Sequence, residues 1–485
     1  MSPGHHLVQG AVLVFLAEAL LPLTGIVTAS FLTRSLGAGN YGLLTLSATL
    51  IAWVEFAAVS LFARATIKIV GDARDWRPIG AAVLRLHVFV SMGALAVCWT
   101  LAKPCAALLG EPALAAYLAL YALDLPIFAL ANCHRNILIG RGKFSERARA
   151  SAGRWITRLV LIILLVELGL SVNGAILGSI GASLAELAIA RYYIRPSWLG
   201  PTVASASLWG YAVPIFLAAF LLRLLGLDLL LLKILGASAA QVGIYGAAQN
   251  VALVMPGILG VSLAPLLLST MTRVMREDGF PAARTLGRNA IRTVIAMLPL
   301  AVVAAAVSDE VAILLFGARF AGAGPLLAIL VFAGLAIMTI NFLSAILIAC
   351  GNPSWTLKLA APLLPVAVAG HLVAIPRFGS IGAASVTAIV ACLGALAGVI
   401  AVRRRLQIEP AAATLFRSVL LSSMAYALVR FWPAHGLAAV GKMAVASILV
   451  LGGFVALGEF RQKELQFLRS IIRHTFSRKP ATDFQ

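Results

Sequence analysis

Charge is what this 485-residue chain has least of: Asp, Glu, Lys and Arg make up 12% of it, against 61% hydrophobic residues. Soluble domains run at about a quarter charged and about half apolar, so an ordinary soluble protein is excluded. Acidic residues are the scarcer kind, 18 against 38 Lys and Arg. Cysteine is scarce too. Its five copies, at 98, 105, 133, 350 and 392, have neither metal-ligand nor redox spacing. They read as small core thiols, and no metal or cofactor is expected. Also missing are a G-x-x-x-x-G-K-[ST] phosphate loop, an H-E-x-x-H pair, a Ser/His/Asp arrangement and any long polar loop able to house paired carboxylates. ATP hydrolysis and an external catalytic lobe are not expected, and the chain reads as a non-enzyme.

What the chain has in quantity is apolar runs of about 20 residues, the length that crosses a ~30 Å hydrocarbon core as a helix. In lipid the backbone must pair within its own segment, so helices are the expected spanning elements. The short alternating segments of a membrane β-barrel are absent. The fold class expected is an all-α polytopic membrane protein with about fourteen transmembrane helices. The first 32 residues carry Glu18 and lack a basic start, and read as an uncleaved first helix.

A net charge of +20 would suggest nucleic acid as partner in a soluble protein. Its placement argues otherwise. Thirty of the 38 cations fall in 64–85, 135–158, 191–195, 273–292, at 358, in 403–417 and in 461–479, which alternate with loops almost free of them. A bias of this kind orients the chain with the basic loops inside. Both termini are therefore expected on the cytoplasmic face, and no nucleic-acid partner is expected.

One stretch is used twice. Residues 34–46, RSLGAGNYGLLTL, and 233–247, KILGASAAQVGIYGA, each join two apolar runs through Leu-Gly-Ala and a later Tyr-Gly. Asn132, Ile137-Leu138-Ile139 and Gly142 return as Asn341, Ile346-Leu347-Ile348 and Gly351, and Gly174-Ala175 returns as Gly382-Ala383. The order and the near-constant spacing of about 200 residues imply a duplication. The expected organisation is helices 1–6 in residues 1–195, a cytoplasmic connection at 196–208, helices 7–12 in 209–402, appended helices 13–14 in 403–457, and a basic tail at 458–485. An even number of spans per half makes the repeats parallel. The tail reads equally as an amphipathic helix on anionic lipid or as a solvated segment. Prolines at 22, 126, 214, 256, 265, 299, 362 and 365 are expected to kink spans.

Ionisable groups at bilayer depth are costly, so each is a functional candidate. They are Glu18, Glu55, Asp124, Glu186, Arg223 and Asp228, with His87 and His371. Arg223 lies ~18 Å along a helix from Leu235, near the midplane, where its guanidinium suits phosphate oxygens. The alternative is a structural pair with Asp228. The four first-half carboxylates are candidates for proton or ion coupling, with interhelical hydrogen bonding as the bland alternative. Arg64 is deep enough to reach a cavity. Asn132 and Asn341 are further candidate substrate contacts.

The two joints, together with ILLFGARFAGAGPLLAIL (313–330), ILIACGNP (346–353) and PRFGSIGAA (376–384), resemble the polysaccharide transporter family. That family includes the O-antigen flippases of the multidrug/oligosaccharidyl-lipid/polysaccharide exporter superfamily. The resemblance implies a V-shaped pair of six-helix lobes working by alternating access in the bacterial inner membrane. Its substrate would be a polyprenyl-pyrophosphate-linked oligosaccharide, an O-antigen or exopolysaccharide repeat unit. Membrane lipids, a polysaccharide polymerase and other export machinery are the implied partners, with proton or ion coupling suggested for relatives. Arg223 and Arg64 are the best candidates for the pyrophosphate. Asp228 matches the acid that often precedes the second joint, but Leu229 follows where a basic residue is frequent. A multidrug or cation antiporter of the same superfamily is the alternative, and a membrane glycosyltransferase or polymerase a more distant one.

Overall fold

The structure, a computed structural model, describes residues 3–198, 216, 220, 223–352, 354–409, 411–434 and 436–459, with the side chains of 3–15, 60, 61, 64, 255–262 and 265 left aside. Most of the 196–208 connection and nearly all of the 458–485 tail lie outside the described residues, as does the tail's candidate amphipathic helix. The described residues are almost entirely helical and contain no strand.

The first half holds α1 (Pro3–Asp72), α2 (Arg77–Leu108), α3 (Ala113–Tyr121), α4 (Asp124–Gly140), α5 (Phe144–Leu165) and α6 (Ser171–Tyr193). The second holds α7 (Asp228–Ile234), α8 (Ala239–Ala252), α9 (Val254–Glu277), α10 (Gly279–Ile295), α11 (Leu298–Ala306), α12 (Ser308–Phe316), α13 (Ala323–Ala349), α14 (Ser354–Ala360) and α15 (Leu363–Leu406). Then come α16 (Ala412–Phe431) and α17 (Leu437–Ala456).

Among the described residues, nine helical stretches are long and apolar enough to cross a membrane. Three of them double back at a glycine: α1 at Gly37, α15 at Gly379, and α5 to α6 at Gly169 inside a π turn. With the stretch that ends in α7 and the one made by α8 and α9, the described residues account for about fourteen passages, one of them only in part.

Proline explains where passages break. A proline removes the bond to the carbonyl four residues back and crowds it. Pro126 lies four after Ala122, between α3 and α4, and Pro256 four after Ala252, the last residue of α8. Pro299 lies four after Ile295, the end of α10, and Pro365 four after Ala361, between α14 and α15. Pro22, by contrast, sits within α1 without interrupting it.

The repeated joint keeps its backbone as well as its letters. Gly37 has φ 72° and its counterpart Gly236 has φ 101°, a region that a side chain makes unfavourable. In the second copy, Ser238 and Gln241 form a reciprocal cap on α8, Ser238 Oγ accepting from Gln241 N at 3.2 Å and Gln241 Oε1 from Ser238 N at 2.9 Å. The echoed Gly174 and Gly382 serve close packing. A Cβ on Gly174 would meet the Leu165 carbonyl, and one on Gly382 the Ala374 carbonyl.

The halves meet along α1 and α8, where Gly42 and Gly243 let two backbones touch. A Cβ on Gly42 would collide with the Ala239 carbonyl, and one on Gly243 would lie 2.9 Å from the Gly42 nitrogen. Nearby, Ser30 donates to the Leu315 carbonyl and Arg34 to the Leu314 carbonyl, both at 2.5 Å. Lys233 Nζ reaches Glu111 Oε1 at 2.7 Å. These contacts gather at the end opposite the cation-rich loops.

The appended helices are tied down at both ends. Val303 and Val307 pack with Leu421, Val450 and Phe454. Lys442 pairs with Glu310 at 2.9 Å, and buried Glu459 takes Arg417 at 2.6 Å, Arg292 at 3.3 Å and the Thr414 hydroxyl at 2.5 Å.

Candidate functional site: a cationic cavity between the halves

A cavity of about 650 Å³ lies between α1, the inner part of α5, and the second half from Arg223 to Val254. The passage that carries Arg223 is broken. A 3₁₀ turn at Leu224–Gly226 separates Arg223 from α7, which starts at Asp228. Interrupted helices of this kind expose side chains and backbone at mid-membrane depth where a cavity accepts them.

Arg223 is exposed to this cavity, and its guanidinium lies 5.4 Å from the ring centres of both Trp53 and Phe56 of α1. The arrangement is a cation over two aromatic rings from the other half. Phe220 meets Trp53 edge-on at 6.1 Å, which completes an aromatic wall. Among the described residues no carboxylate pairs with Arg223.

Asp228 does not serve as its partner. Its Oδ2 accepts from Tyr245 Oη at 2.6 Å, Gln249 Nε2 at 3.0 Å and Thr387 Oγ1 at 3.1 Å. Its Oδ1 accepts from the Leu229 amide at 2.9 Å. Four neutral donors from α7, α8 and α15 thus hold one buried carboxylate, and a charge-assisted bond is worth roughly twice a neutral one. Buried His371 of α15 lies within electrostatic reach of it.

A second cation faces the cavity from the first half: Arg158. Sequence reading assigns it to the basic 135–158 loop, because it closes that run of cations. In the structure α5 begins at Phe144, so Arg158 sits about 20 Å up the helix. That depth was the available signal. Tyr41, Trp53, Gln249 and Asn250 were also unmarked as cavity residues, because neutral polar and aromatic residues in an apolar run carry no periodic or charge signature. Asn250 Nδ2 donates to Tyr41 Oη across the halves at 3.2 Å.

The remaining candidates separate. Glu18 lines the cavity and takes Arg147 at 2.9 Å. Glu186, fully buried, takes both Arg135 and Arg154 at 2.9 Å. Among the described residues Glu55 and Asp124 have no such pair, and Asp124 Oδ1 is buried without a hydrogen-bond partner. Arg154 and Arg158 are the cations acting on both. Asn132 is buried in the first half, accepts from Asn136 at 2.7 Å and lines neither cavity described here. His87 is likewise buried, its Nδ1 at 2.9 Å from the Val83 carbonyl. The Arg64 side chain lies outside the described residues.

Asn341 belongs to a second cavity of about 400 Å³ inside the second half, bounded by α13, α14 and α15. Arg223, Gly226, Asp228, Gln249 and Leu253 line both cavities.

The fold and its central cavity define a class, the two-half helical membrane bundles. A structure titled lipid II flippase MurJ, in an inward closed conformation, aligns over 96% of this chain and 100% of its own, with a TM-score of 0.75 and 12% identity. An inward-facing multidrug resistance MATE family transporter of the MOP superfamily aligns over 81% and 94%, with a TM-score of 0.60 and 17% identity. A MOP superfamily transporter from Pyrococcus furiosus, whose title reports a binding pocket of reverse polarity, aligns over 84% and 96%, at 0.54 and 16%. No curated protein matches the chain in sequence. The chain belongs to the polysaccharide biosynthesis protein family, whose model matches residues 31–325.

Proposed function

We propose that the protein is a flippase for a polyprenyl-pyrophosphate-linked oligosaccharide, an O-antigen or exopolysaccharide repeat unit. It would carry this lipid from the cytoplasmic to the external leaflet of the bacterial inner membrane by alternating access, with both termini cytoplasmic. The observation that carries this reading is the pair of arginines, Arg158 and Arg223, that the two halves present to one cavity. Two guanidinium forks suit a pyrophosphate, since each can bind two oxygens at once. Thr28, Thr45, Thr49, Gln249 and Asn250 add the hydroxyl and amide groups that sugars hydrogen-bond. Membership of a polysaccharide biosynthesis family and the fold shared with a lipid II flippase support the same substrate class.

The exit end is the one at which Lys233, Arg34 and Ser30 hold the halves together. Of the four coupling candidates, Glu55 and Asp124 retain that role in this reading, because Glu18 and Glu186 already hold arginine partners. A polymerase and other export machinery would receive the product.

The test is flipping of a labelled polyprenyl-pyrophosphate oligosaccharide in proteoliposomes, with and without a pH gradient. Wild-type protein moves the lipid, and Arg223→Ala and Arg158→Ala each cut the rate at least about tenfold, the equivalent of one charge-assisted contact. Folded protein that moves no such lipid refutes the reading. A second reading, a multidrug or cation antiporter, is favoured by one observation: the carboxylate of Asp228 lies in the cavity wall with Tyr41 and Trp53. Efflux of a lipophilic cationic dye, lost in Asp228→Asn, is the outcome that selects it.

A further inference from the structure

The two cavities differ in chemistry while sharing one wall. The larger holds Arg158, Glu18 and several hydroxyl and amide groups. The smaller is walled chiefly by Leu330, Ile337, Ile340, Leu343, Leu359 and Leu363; beyond the wall it shares with the larger, its polar groups are Asn341, Ser344, Thr356 and Thr387, none of them charged. Its width follows from small residues on α15. Gly394 and Gly398 fall on one helix face, and a Cβ on either would press on Ile340 and Leu363, or on Leu343. A space of about 400 Å³ falls within the size range of small-molecule pockets, about 300–1,000 Å³. Pockets that are largely aliphatic with a few placed polar groups are the usual seats of apolar and amphipathic ligands. At the shared wall stands Arg223, which faces both spaces.

A cation between a polar and an aliphatic chamber matches a ligand whose anionic centre joins a polar head to a hydrocarbon chain. We propose that the smaller cavity is a chain-binding subsite: it seats the isoprenoid units nearest the pyrophosphate, while the phosphates lie on Arg223 and the sugars occupy the larger cavity. The assignment rests on the flippase reading above and adds to it the place of the lipid chain, inside the second half. Beyond the cavity, Leu357 of α14 and Val366 of α15 are exposed on the bundle surface, so a longer chain continues from the subsite into lipid. The subsite gives the protein a means of telling a prenyl pyrophosphate from a soluble diphosphate of the same charge.

The experiment measures binding of isopentenyl, geranyl, farnesyl and geranylgeranyl pyrophosphate to the purified full-length protein, each below its micellar concentration. Affinity rises along the series by at least about tenfold, since every buried methylene adds to binding. Ser344→Phe and Ala360→Phe, which fill the cavity from α13 and α14, flatten that rise and leave the binding of inorganic pyrophosphate, which has no chain to seat, unchanged. Arg223→Ala weakens every member of the series. A geranylgeranyl probe carrying a terminal photoreactive group labels peptides of α13 or α14 in wild type, a readout that needs no variant to fold. Measurable binding with no dependence on chain length, or labelling confined to α1 and α5, overturns the subsite and leaves the flippase reading standing. No binding of any member overturns both.

Discussion

At the scale of single residues, the polar groups buried in the second half are arranged around Asp228, not Arg223. Three side chains from two elements converge on one carboxylate oxygen: Tyr245 and Gln249 from α8, and Thr387 from α15. An amide in place of that carboxylate presents its own N–H groups to one set of donors and leaves one or more of them unsatisfied. Hydrogen bonds to a charged group contribute roughly 1.5–3 kcal/mol each. Asp228→Asn is therefore expected to lower stability by about 2 kcal/mol, read as thermal unfolding of the detergent-solubilised protein. A double-mutant cycle with Tyr245→Phe should show coupling of about 1 kcal/mol or more; additive effects would mean that the hydroxyl contributes nothing to the site. Asp228 and Arg223 were legible in the sequence because a charge in an apolar run stands out. Their relation was not. Five residues apart, they could pair or ignore each other, and only the placement of Tyr245, Gln249 and Thr387 decides that Asp228 has other partners. Arg158 was misread for the opposite reason: it ends a run of loop cations, and counting by loops conceals its depth.

At the scale of elements, the sequence told most where a backbone constraint has one chemical solution. The joints needed glycine, and Gly37 and Gly236 turn at positive φ in both copies. Of the prolines expected to kink spans, 126, 256, 299 and 365 accompany breaks, since the lost bond falls four residues back, whereas Pro22 and Pro265 lie within unbroken helices and Pro214 outside the described residues. Burial partners were less legible, since a uniformly apolar helix has no distinguishing face. Nothing in the letters of α16 and α17 says that Glu459 will fasten them to Arg292 and Arg417. The Gly42–Gly243 contact is similar: Tyr-Gly was visible as a repeated pair, but the crossing of α1 over α8 was not. A side chain there forces the helices apart, since a Cβ on Gly243 comes within 2.9 Å of the Gly42 nitrogen. Gly243→Val is expected to abolish transport while leaving the helical content unchanged. Accessibility of a cysteine introduced at Thr45 to an impermeant thiol reagent from the external side reports the opening. Wild-type protection and transport in this variant would show that the contact is dispensable.

At the scale of the whole molecule, what matters is that the halves are fastened at one end. Alternating access requires those fastenings to break and others to form, so each must be individually modest. Lys233–Glu111 fits that requirement in part: the lysine is nearly buried, but the glutamate is 23% exposed, so water can take its place when the halves part. Arg34 and Ser30 bind backbone carbonyls of Leu314 and Leu315, contacts that water can replace when the halves part. The driving side is also physical. Under the proposed function, a pyrophosphate moving outward would carry negative charge down the potential of an inside-negative membrane, worth about 2.3 kcal/mol per charge per 100 mV. The potential would thereby bias the cycle even without a coupled proton. Covalent fixation of the same contact must then stop the cycle. Carbodiimide joins an amine to a carboxylate without a spacer, and Lys233 Nζ lies 2.7 Å from Glu111 Oε1. Treated protein is expected to show a Lys233–Glu111 crosslinked peptide by mass spectrometry and to lose flipping in proportion to its yield, whereas Glu111→Gln, which cannot crosslink, keeps its activity under the same treatment. Full activity in crosslinked protein would mean that this end of the bundle never opens, and that the substrate leaves by another route.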